Sequence, residues 1–179
     1  VGREPSGSAF NSIIQLENEK GIPRNPLINA GAIAVTDMLV AASGRDGMIE
    51  ELLTRFHRLS GDDSIAIDEE VAQSESATGS RNRALAYFMA AFGNMENPVE
   101  DALYAYFRQC AVRMSCRQLA RSALFLAFDG CDPINREQLV TRENCRRINA
   151  VMMSCGHYDN SGDFAYRIGL PGKSGVGGG

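Results

Sequence analysis

Glycine residues follow one helix-spaced apolar segment after another along this chain, and this arrangement predicts a protein built mainly of α-helices. Glycine commonly ends a helix because it adopts the left-handed backbone conformation without a steric penalty. The glycines concerned are Gly44, Gly61, Gly93, Gly130 and Gly156. The helices that they are expected to end cover 29–43, 48–59, 83–92, 115–130 and 141–156. The first has apolar residues on nearly all sides, so we expect it to be buried.

Local start signals support this pattern of helices. Asp68 is a candidate N-cap for a short acidic turn. Residues 97–100 (Asn-Pro-Val-Glu) combine a capping residue with proline at the first helical position. Ser115 and Gln118 form a capping-box pattern, and Thr141 is expected to open the last helix.

Two segments depart from the helical pattern. Residues 164–168 alternate well enough to predict a strand. Residues 73–84 are expected to form a loop, because Gly79 interrupts them. With a single strand predicted, the chain is expected to be mainly helical, and a parent fold of the α/β class would have its other strands outside these residues.

Length and charge exclude several classes of protein. At 179 residues the chain is long enough for one domain with a core and short for two. The net charge of −4, without a block of basic residues, argues against nucleic-acid binding. The longest apolar stretch, 30–42, is broken by Thr36 and Asp37, so no membrane-spanning helix is expected. Because the chain starts on Val1 and stops on Gly179 after a turn-like segment, both ends are interpreted as truncations.

The cysteines give no sign of a metal site or a disulfide framework. They form an odd set without a CxxC pair, which favours reduced thiols in a cytosolic protein. The five are Cys110, Cys116, Cys131, Cys145 and Cys155.

The segment 169–175 (Gly-Leu-Pro-Gly-Lys-Ser-Gly) allows three interpretations. Its Gly-Lys-Ser ending suggests a phosphate-binding loop, but that motif needs glycine where this chain has Arg167, and a helix after Ser174. A flexible glycine-rich turn is the second interpretation. The third is a Lys-Ser-Gly strand lining a site, as Lys-Thr-Gly does in penicillin-binding enzymes. In that case Lys173 lies at the site and the backbone amide of Val176 faces a developing oxyanion.

Three polar residues suit either a structural or a binding role. Glu75 is either a solvated loop residue or a carboxylate turned into a cleft to meet an ammonium group. Asn29 and Asn82 each stand where a helix is expected to begin, so each is either a cap or a partner for a polar ligand. The two roles are compatible, because a capping residue at a cleft wall can also hold a ligand.

Two tyrosines and two histidines complete the candidates. Tyr106 shares a helix face with apolar residues, so its ring is expected in the core and its hydroxyl at a pocket. Tyr158 follows a helix end and is not explained by periodicity. His57 lies on a charged helix face and is expected to be solvated. His157 has no motif that marks it as a catalytic base, and two histidines without a spaced carboxylate predict no metal site.

Together these segments resemble the serine-dependent glutaminase family, whose fold is that of the β-lactamases and penicillin-binding proteins. The resemblance covers nearly the whole chain. Its motifs are VGREPSG (1–7), NPLINAGA (25–32), SESATG (74–79) with Arg81-Asn82, YFRQC (106–110), SCGHYD (154–159) and GLPGKSGV (169–176). The resemblance implies an α/β parent fold of the β-lactamase or DD-peptidase type. Within it, 1–179 would be a single incomplete catalytic domain, mainly helical because the terminal strands lie outside.

The resemblance also implies which residues bind L-glutamine. They are Asn29, Glu75, Asn82, Tyr106 and Tyr158, with the Val176 amide in the oxyanion hole. Free glutamine is a zwitterion, so Glu75 suits its ammonium group, and Asn29, Asn82 and Tyr106 suit its carboxylate. Tyr158 is the candidate for proton transfer at the leaving amine, and Lys173 contributes either charge or structure. The implied reaction, acyl transfer to serine and then to water, yields glutamate and ammonia and needs no metal or organic cofactor.

One departure from the family bears on activity. The family activates its serine with the lysine of a Ser-x-x-Lys motif, which lies upstream of the region that matches Val1. Here the two lysines, Lys20 and Lys173, follow Glu17 and Leu170 at that spacing. His157 also stands where many family members have methionine.

We therefore expect the complete protein to be a cytoplasmic glutaminase and the isolated 179 residues to be inactive. The family resemblance suggests a homodimer or homotetramer, with no nucleic-acid or membrane partner. Two alternatives are a non-catalytic glutamine-binding fragment and a related penicillin-recognising hydrolase. The second is disfavoured because its substrate has no α-ammonium group for Glu75 to meet.

Overall fold

The computed structural model describes residues 1–175, and this part of the chain is mainly helical, as predicted. Within it the α-helices are α1 (Ile13–Asn18), α2 (Asn29–Ser60), α3 (Glu69–Thr78), α4 (Ser80–Ala91), α5 (Val99–Cys110), α6 (Cys116–Ala123), α7 (Arg142–Cys155) and α8 (Ser161–Ile168). Two 3₁₀ turns, Leu124–Ala127 and Tyr158–Asn160, follow α6 and α7. Short strands pair antiparallel, β1 (Ala66–Ile67) with β2 (Val112–Arg113) and β3 (Cys131–Asp132) with β4 (Glu137–Gln138).

The long helix α2 is interrupted at Gly44, where the sequence predicts an end. Gly44 has φ of 74° and ψ of 164°, values outside the helical range, and the helix resumes directly after it. The second half ends at Gly61, whose φ is 69° and whose N–H donates to the carbonyl of His57 at 2.8 Å. Both glycines therefore act as predicted, although the two halves continue as one kinked element.

Three of the four predicted helix starts are confirmed. The side chains of Asp68, Ser115 and Thr141 accept backbone N–H groups at the starts of α3, α6 and α7, and Ser115 forms the complete capping box with Gln118. The prediction for Asn97 is wrong. Its side-chain amide instead donates to Asp37, and Pro98 occupies the N-cap position of α5.

Helix α6 is also shorter than predicted. The chain continues from Ala123 into the 3₁₀ turn Leu124–Ala127 before it reaches Gly130.

Two other local predictions are wrong. Residues 164–168, predicted as a strand, lie in α8, where Phe164 packs on His157 while Tyr166 is 89% exposed. Residues 73–84, predicted as a loop, belong to α3 and α4, and Gly79 is only the junction between them. A Cβ atom on Gly79 would collide with the ring of Phe107, so glycine is needed there for packing against α5.

The main hydrophobic core lies between the first half of α2 and helices α4 and α5. Its buried residues include Ala30, Ile33, Leu85, Met89, Leu103 and Phe107. A second cluster, formed by Val40, Met48, Ile49 and Ala105, joins the region around the kink of α2 to α5. Helix α2 therefore packs against α4 and α5, which carry Asn82 and Tyr106.

Asp37 is a buried carboxylate on α2, inside the longest apolar stretch of the sequence. It is 2% exposed and accepts the backbone N–H groups of Glu96 (2.7 Å) and Asn97 (3.1 Å). The side-chain amide of Asn97 also donates to it at 2.8 Å. A buried carboxylate is tolerated when donors satisfy it in this way, and here it ties α2 to the turn before α5.

No helix within residues 1–175 is both long and apolar enough to cross a membrane.

Candidate active site

Asn29 and Asn82 meet at the starts of α2 and α4. The Nδ2 of Asn29 donates to the Oδ1 of Asn82 at 2.9 Å, and both residues are half-buried. Neither caps its helix: Asn29 is the first residue of α2, Asn82 is the third of α4, and neither helix has a side-chain cap. The capping interpretation is therefore wrong for both, and their amides are available to a polar ligand.

A close backbone contact sets the position of Asn29. The carbonyl of Asn25 lies against Gly31, where a Cβ atom would overlap it. Asn25 is itself fully buried and donates from Nδ2 to the carbonyl of Glu4 at 2.9 Å. On the other side, the N–H of Asn29 donates to the carbonyl of Phe10 at 3.1 Å. These contacts hold the first turn of α2 against the N-terminal segment.

Glu75 lies in the second half of α3 and is half-buried. Among the ion pairs within residues 1–175 none involves its carboxylate, whereas Glu69 on the same helix pairs with Arg108 at 2.9 Å. Glu75 therefore offers a carboxylate for an outside cation.

Tyr106 has its ring in the core, as predicted, with 7% of its surface exposed. Burial is the largest cause that raises the pKa of its hydroxyl, followed by the neighbouring Cys110 thiol and by the charges of Glu75 and Tyr158. Helix α5, which carries Tyr106, packs against α3, which carries Glu75. Tyr106 is thus a neutral hydroxyl on a helix next to the one that carries the Glu75 carboxylate.

Cys110, one helical turn after Tyr106, is the last residue of α5 and is exposed, although neighbouring groups cover part of its thiol. Burial raises the pKa of its thiol, the hydrogen bond with Tyr106 lowers it, and the charge of Glu75 raises it. The charge of Glu75 thus raises the pKa of both residues.

Tyr158 has a strained backbone. Its φ of 53° lies in the left-handed region, which a residue with a bulky side chain rarely adopts, and such strain is concentrated at functional sites. Its ring packs on that of Phe10, with 5.1 Å between centroids. Because Phe10 also accepts the N–H of Asn29, it connects Tyr158 to the start of α2.

Lys173 contacts Tyr158 directly. Its Nζ donates to the Tyr158 hydroxyl at 2.9 Å and lies 4.6 Å from the centroid of the same ring. The segment that carries Lys173 is held by Ser174, whose N–H donates to the carbonyl of Gly156 at 3.0 Å. Gly172 fits closely against Gly156, where a Cβ atom would overlap the Gly172 carbonyl oxygen.

Residues 169–175 are not a regular strand. They form an extended, irregular segment fixed against the end of α7. The residues in which a phosphate-binding loop would need a helix lie outside the described part of the chain, and Arg167 stands where that motif needs glycine. Val176, predicted to supply the oxyanion-hole amide, lies outside the described residues.

The histidines take no part in the cluster of polar groups described above. His57, predicted to be solvated, is half-buried, and its Nε2 forms a 2.7 Å hydrogen bond with the carbonyl of Ile65. That prediction is therefore wrong. His157 stacks on Phe164 at 3.7 Å between ring centroids, and Gly172 covers its Nε2. No group of three or more metal-ligating side chains occurs between residues 1 and 175.

Tyr158 lines two cavities. A cavity of about 480 Å³ is bounded also by Pro5, Met153 and Ser154. A second, of about 530 Å³, is bounded by His157, Phe164 and Ser174. Neither of these two cavities is lined by Asn29, Glu75 or Asn82.

Sequence reasoning missed two residues that organise the site. Phe10 bridges Asn29 and Tyr158, and it falls in no motif or periodic segment. Arg83 donates to the carbonyl and the hydroxyl of Ser76, next to Glu75, at 2.5 and 3.1 Å. The only sequence signal for Arg83 is that it directly follows Asn82.

Comparison with known proteins identifies the family. The glutaminase family profile matches residues 1–179. A glutaminase of Rhizobium etli (strain CIAT 652) is 61% identical over 179 residues, covering all of this chain and 58% of that protein. The crystal structure of a probable glutaminase from Bacillus subtilis superposes with a TM-score of 0.91 at 41% identity, over 98% of this chain and 56% of that one. Bacillus subtilis glutaminase YbgJ, covalently bound to 5-oxo-L-norleucine, superposes with a TM-score of 0.80 at 39% identity, over 86% and 52% of the two chains.

The fold is that of the β-lactamase-like glutaminases, of which the described residues form a largely helical part, as predicted. The chain belongs to the glutaminase family. It spans 58% of the length of the relatives from Rhizobium etli and Rhodopseudomonas palustris.

Proposed function

We propose that the complete protein hydrolyses L-glutamine to L-glutamate and ammonia through a serine acyl-enzyme. Residues 1–179 would be part of a single catalytic domain that supplies most of the glutamine pocket. The observation that carries the proposal is the half-buried Glu75 carboxylate, which forms no ion pair within residues 1–175 and lies on a helix packed against the one that buries Tyr106. A carboxylate without an internal partner, next to neutral donors, suits a small zwitterion.

Recognition of glutamine would divide between its two charged groups. The Glu75 carboxylate pairs with the α-ammonium group in a charge-assisted hydrogen bond. The amides of Asn29 and Asn82 and the hydroxyl of Tyr106 donate to the α-carboxylate. The Asn29–Asn82 hydrogen bond uses one N–H and one oxygen, so both Nδ2–H bonds of Asn82 stay free to donate.

The chemical step would take place at Tyr158. A serine hydroxyl attacks the amide carbon and loses its proton to a lysine, and the carbonyl oxygen becomes an oxyanion held by the Val176 amide. Tyr158 gives a proton to the amide nitrogen, the C–N bond breaks and ammonia leaves. Water then attacks the ester, which releases glutamate and regenerates the serine, and the proton taken up by the lysine returns to Tyr158. Lys173, which donates to the Tyr158 hydroxyl, keeps that hydroxyl oriented.

The nucleophile would come from a segment outside these residues. Neither Lys20 nor Lys173 follows a serine at the Ser-x-x-Lys spacing. The relatives are longer than this chain, which leaves room for such a motif. Support for a covalent intermediate comes from YbgJ, which forms its complex by reaction with 6-diazo-5-oxo-L-norleucine.

The test is ammonia release from L-glutamine by the complete protein, beside the isolated 179 residues. We expect turnover by the complete protein and none by the isolated chain, and covalent labelling of the complete protein by 6-diazo-5-oxo-L-norleucine. A complete protein that releases no ammonia from L-glutamine, or turnover by the isolated residues, would contradict the proposal. Hydrolysis of a penicillin instead would support the alternative hydrolase.

The proposal extends to a cytoplasmic homodimer or homotetramer. All five cysteines are free thiols in the structure, as suits a reducing compartment. Sedimentation of the complete protein would give the oligomeric state, and thiol titration of protein purified without reductant would show whether the cysteines stay reduced.

A further inference from the structure

Arg83 connects the three helices that carry the proposed glutamine-binding residues. Its Nη1 donates to the carbonyl of Ser76 at 2.5 Å, and its Nη2 donates to the Ser76 hydroxyl at 3.1 Å. Its Cζ lies 5.3 Å from the ring centroid of Phe107. Ser76 follows Glu75, Arg83 follows Asn82, and Phe107 follows Tyr106. Arg83 is therefore itself the residue after Asn82, and its guanidinium group contacts the residues that follow Glu75 and Tyr106.

The contact with Ser76 satisfies an otherwise unpaired end of α3. Ser76 is among the last four residues of this helix, whose carbonyls have no partner within it. A cation at that position also interacts favourably with the helix dipole. Because the planar guanidinium group binds two oxygens at once, it fixes the orientation of the last turn of α3, which carries Glu75.

The other side of Arg83 is held by α5. The Nε lies 3.8 Å from a carboxylate oxygen of Glu100, and the other oxygen of Glu100 accepts the hydroxyl of Tyr87 at 3.1 Å. Gly79, at the α3–α4 junction, fits directly against the Phe107 ring. The junction thus rests on α5, and Arg83 sets the angle at which α3 and α4 leave it.

We propose that Arg83 is a positioning residue for glutamine binding. It holds the Glu75 carboxylate at a fixed distance from the Asn82 amide and the Tyr106 hydroxyl without touching the substrate. The inference rests on the proposed glutaminase function. Loss of Arg83 lets α3 move relative to α4 and α5. Glu75 can then no longer bind the ammonium group of glutamine while Asn82 and Tyr106 bind its carboxylate. The effect falls on KM, because the reacting groups at Tyr158 belong to other elements.

A cavity beside Arg83 allows the inference to be tested by chemical rescue with free guanidinium ion. A cavity of about 230 Å³ lies beside Arg83, lined also by Ser76, Glu100, Tyr104 and Phe107. Truncation to alanine enlarges this cavity and leaves the Ser76 carbonyl, the Glu100 carboxylate and the Phe107 ring facing it. Free guanidinium ion carries the same planar donors and charge, so it can occupy the place of the lost side chain.

The experiment measures glutamine hydrolysis by the complete protein and its Arg83→Ala, Arg83→Lys and Arg117→Ala variants. For Arg83→Ala we expect KM to rise about tenfold or more, since hydrogen bonds to a charged group are lost, with a smaller change in kcat. Millimolar guanidinium chloride should lower the KM of this variant and leave the wild type unchanged. Arg83→Lys should fall between the two, because lysine keeps the charge but not the two-pronged geometry. Arg117, exposed on α6, is the matched control.

Several outcomes would overturn the inference. A folded Arg83→Ala protein with wild-type KM would remove any positioning role. A second outcome is a fall in kcat as large as the rise in KM, with no reversal by guanidinium and a lowered Tm. This result would mean that Arg83 contributes only to stability. An inactive wild-type protein would refute the proposed function and this inference with it, whereas an active wild type beside an unaffected Arg83→Ala variant refutes only the inference.

Discussion

The Nδ2 of Asn29 donates to the Oδ1 of Asn82 at 2.9 Å, so the first residue of α2 is joined to the third residue of α4. This bond fixes how both amides face the proposed substrate. The side-chain oxygen of Asn82 accepts this hydrogen bond from Asn29, so the NH₂ group of Asn82 is left to donate to another partner.

Asn82→Asp is expected to weaken glutamine binding strongly. The substitution preserves the acceptor for Asn29 but replaces the donor with a second carboxylate oxygen, which repels the α-carboxylate of the substrate. We expect KM to rise about 10- to 100-fold in the complete protein, with a smaller rise for Asn82→Ala. Steady-state kinetics of both variants would check this, and an Asn82→Asp variant that binds better than Asn82→Ala would refute the donor role.

Glu75→Gln is expected to raise KM for L-glutamine about 10- to 100-fold, because the neutral amide keeps the size of the side chain but not its attraction for an ammonium group. The change in kcat should be smaller. Glu70→Gln is the control, since Glu70 is exposed on the same helix. Unchanged kinetics in Glu75→Gln, or equal effects of the two substitutions, would count against a specific ammonium site.

Tyr158→Phe is expected to lower kcat about 100-fold, because removal of the hydroxyl stops proton transfer to the leaving nitrogen. Lys173→Met, which removes the 2.9 Å hydrogen bond to that hydroxyl, should lower kcat less. Tyr166→Phe on the neighbouring helix is the control, because Tyr166 is 89% exposed. If Lys173→Met proves more damaging than Tyr158→Phe, the lysine has a direct role in the chemistry.

Asp37→Ala is expected to lower the free energy of unfolding by about 2–4 kcal/mol, because three N–H donors of Glu96 and Asn97 lose their acceptor. Urea denaturation followed by circular dichroism would measure the change. Asp46→Ala, on an exposed face of the same helix, should change it by less than about 0.5 kcal/mol. A small effect at Asp37 would mean that water replaces the lost carboxylate.

Asp132 predicts a dependence of stability on pH. Hydrogen bonds from the Arg121 guanidinium group, at 2.9 and 3.1 Å, lower the pKa of this buried carboxyl. A lowered pKa in the folded state contributes stability that is complete above the unfolded value of about 3.9 and is lost as pH falls through the folded value. The difference in unfolding free energy between wild type and Asp132→Asn should therefore shrink below about pH 4. Urea midpoints at pH 7, 5, 4 and 3 would test this, and a constant difference would contradict it.

The accuracy of the sequence predictions depended on how far apart the interacting residues lie. The caps at Asp68, Ser115 and Thr141 were predictable because each side chain binds a backbone group three residues ahead. Asn97 has the same local pattern, yet its side chain binds Asp37, 60 residues away. A long-range partner therefore overrode a local preference.

The same distinction applies to Gly79 and to the site. Gly79 reads as an interruption in the sequence, but its lack of a side chain accommodates the Phe107 ring of another helix. Asn29, Glu75, Asn82, Tyr106 and Tyr158 were found through chemistry suited to a zwitterion and through family resemblance. Phe10 and Arg83 carry neither signal, because their importance comes only from contacts made after folding.

The close fit of Gly156 and Gly172 has a consequence for insertions and deletions. A Cβ atom on Gly156 would overlap the Gly172 carbonyl, and one on Gly172 would meet the rings of His157 and Phe164, so the segment 169–175 lies close against the end of α7. Removing or adding one residue between Gly169 and Gly172 would bring a side chain to the contact and carry Lys173 away from Tyr158. The number of residues between Gly169 and Gly172 is therefore as constrained as their type. A family member with a different sequence here should still have the same number of residues.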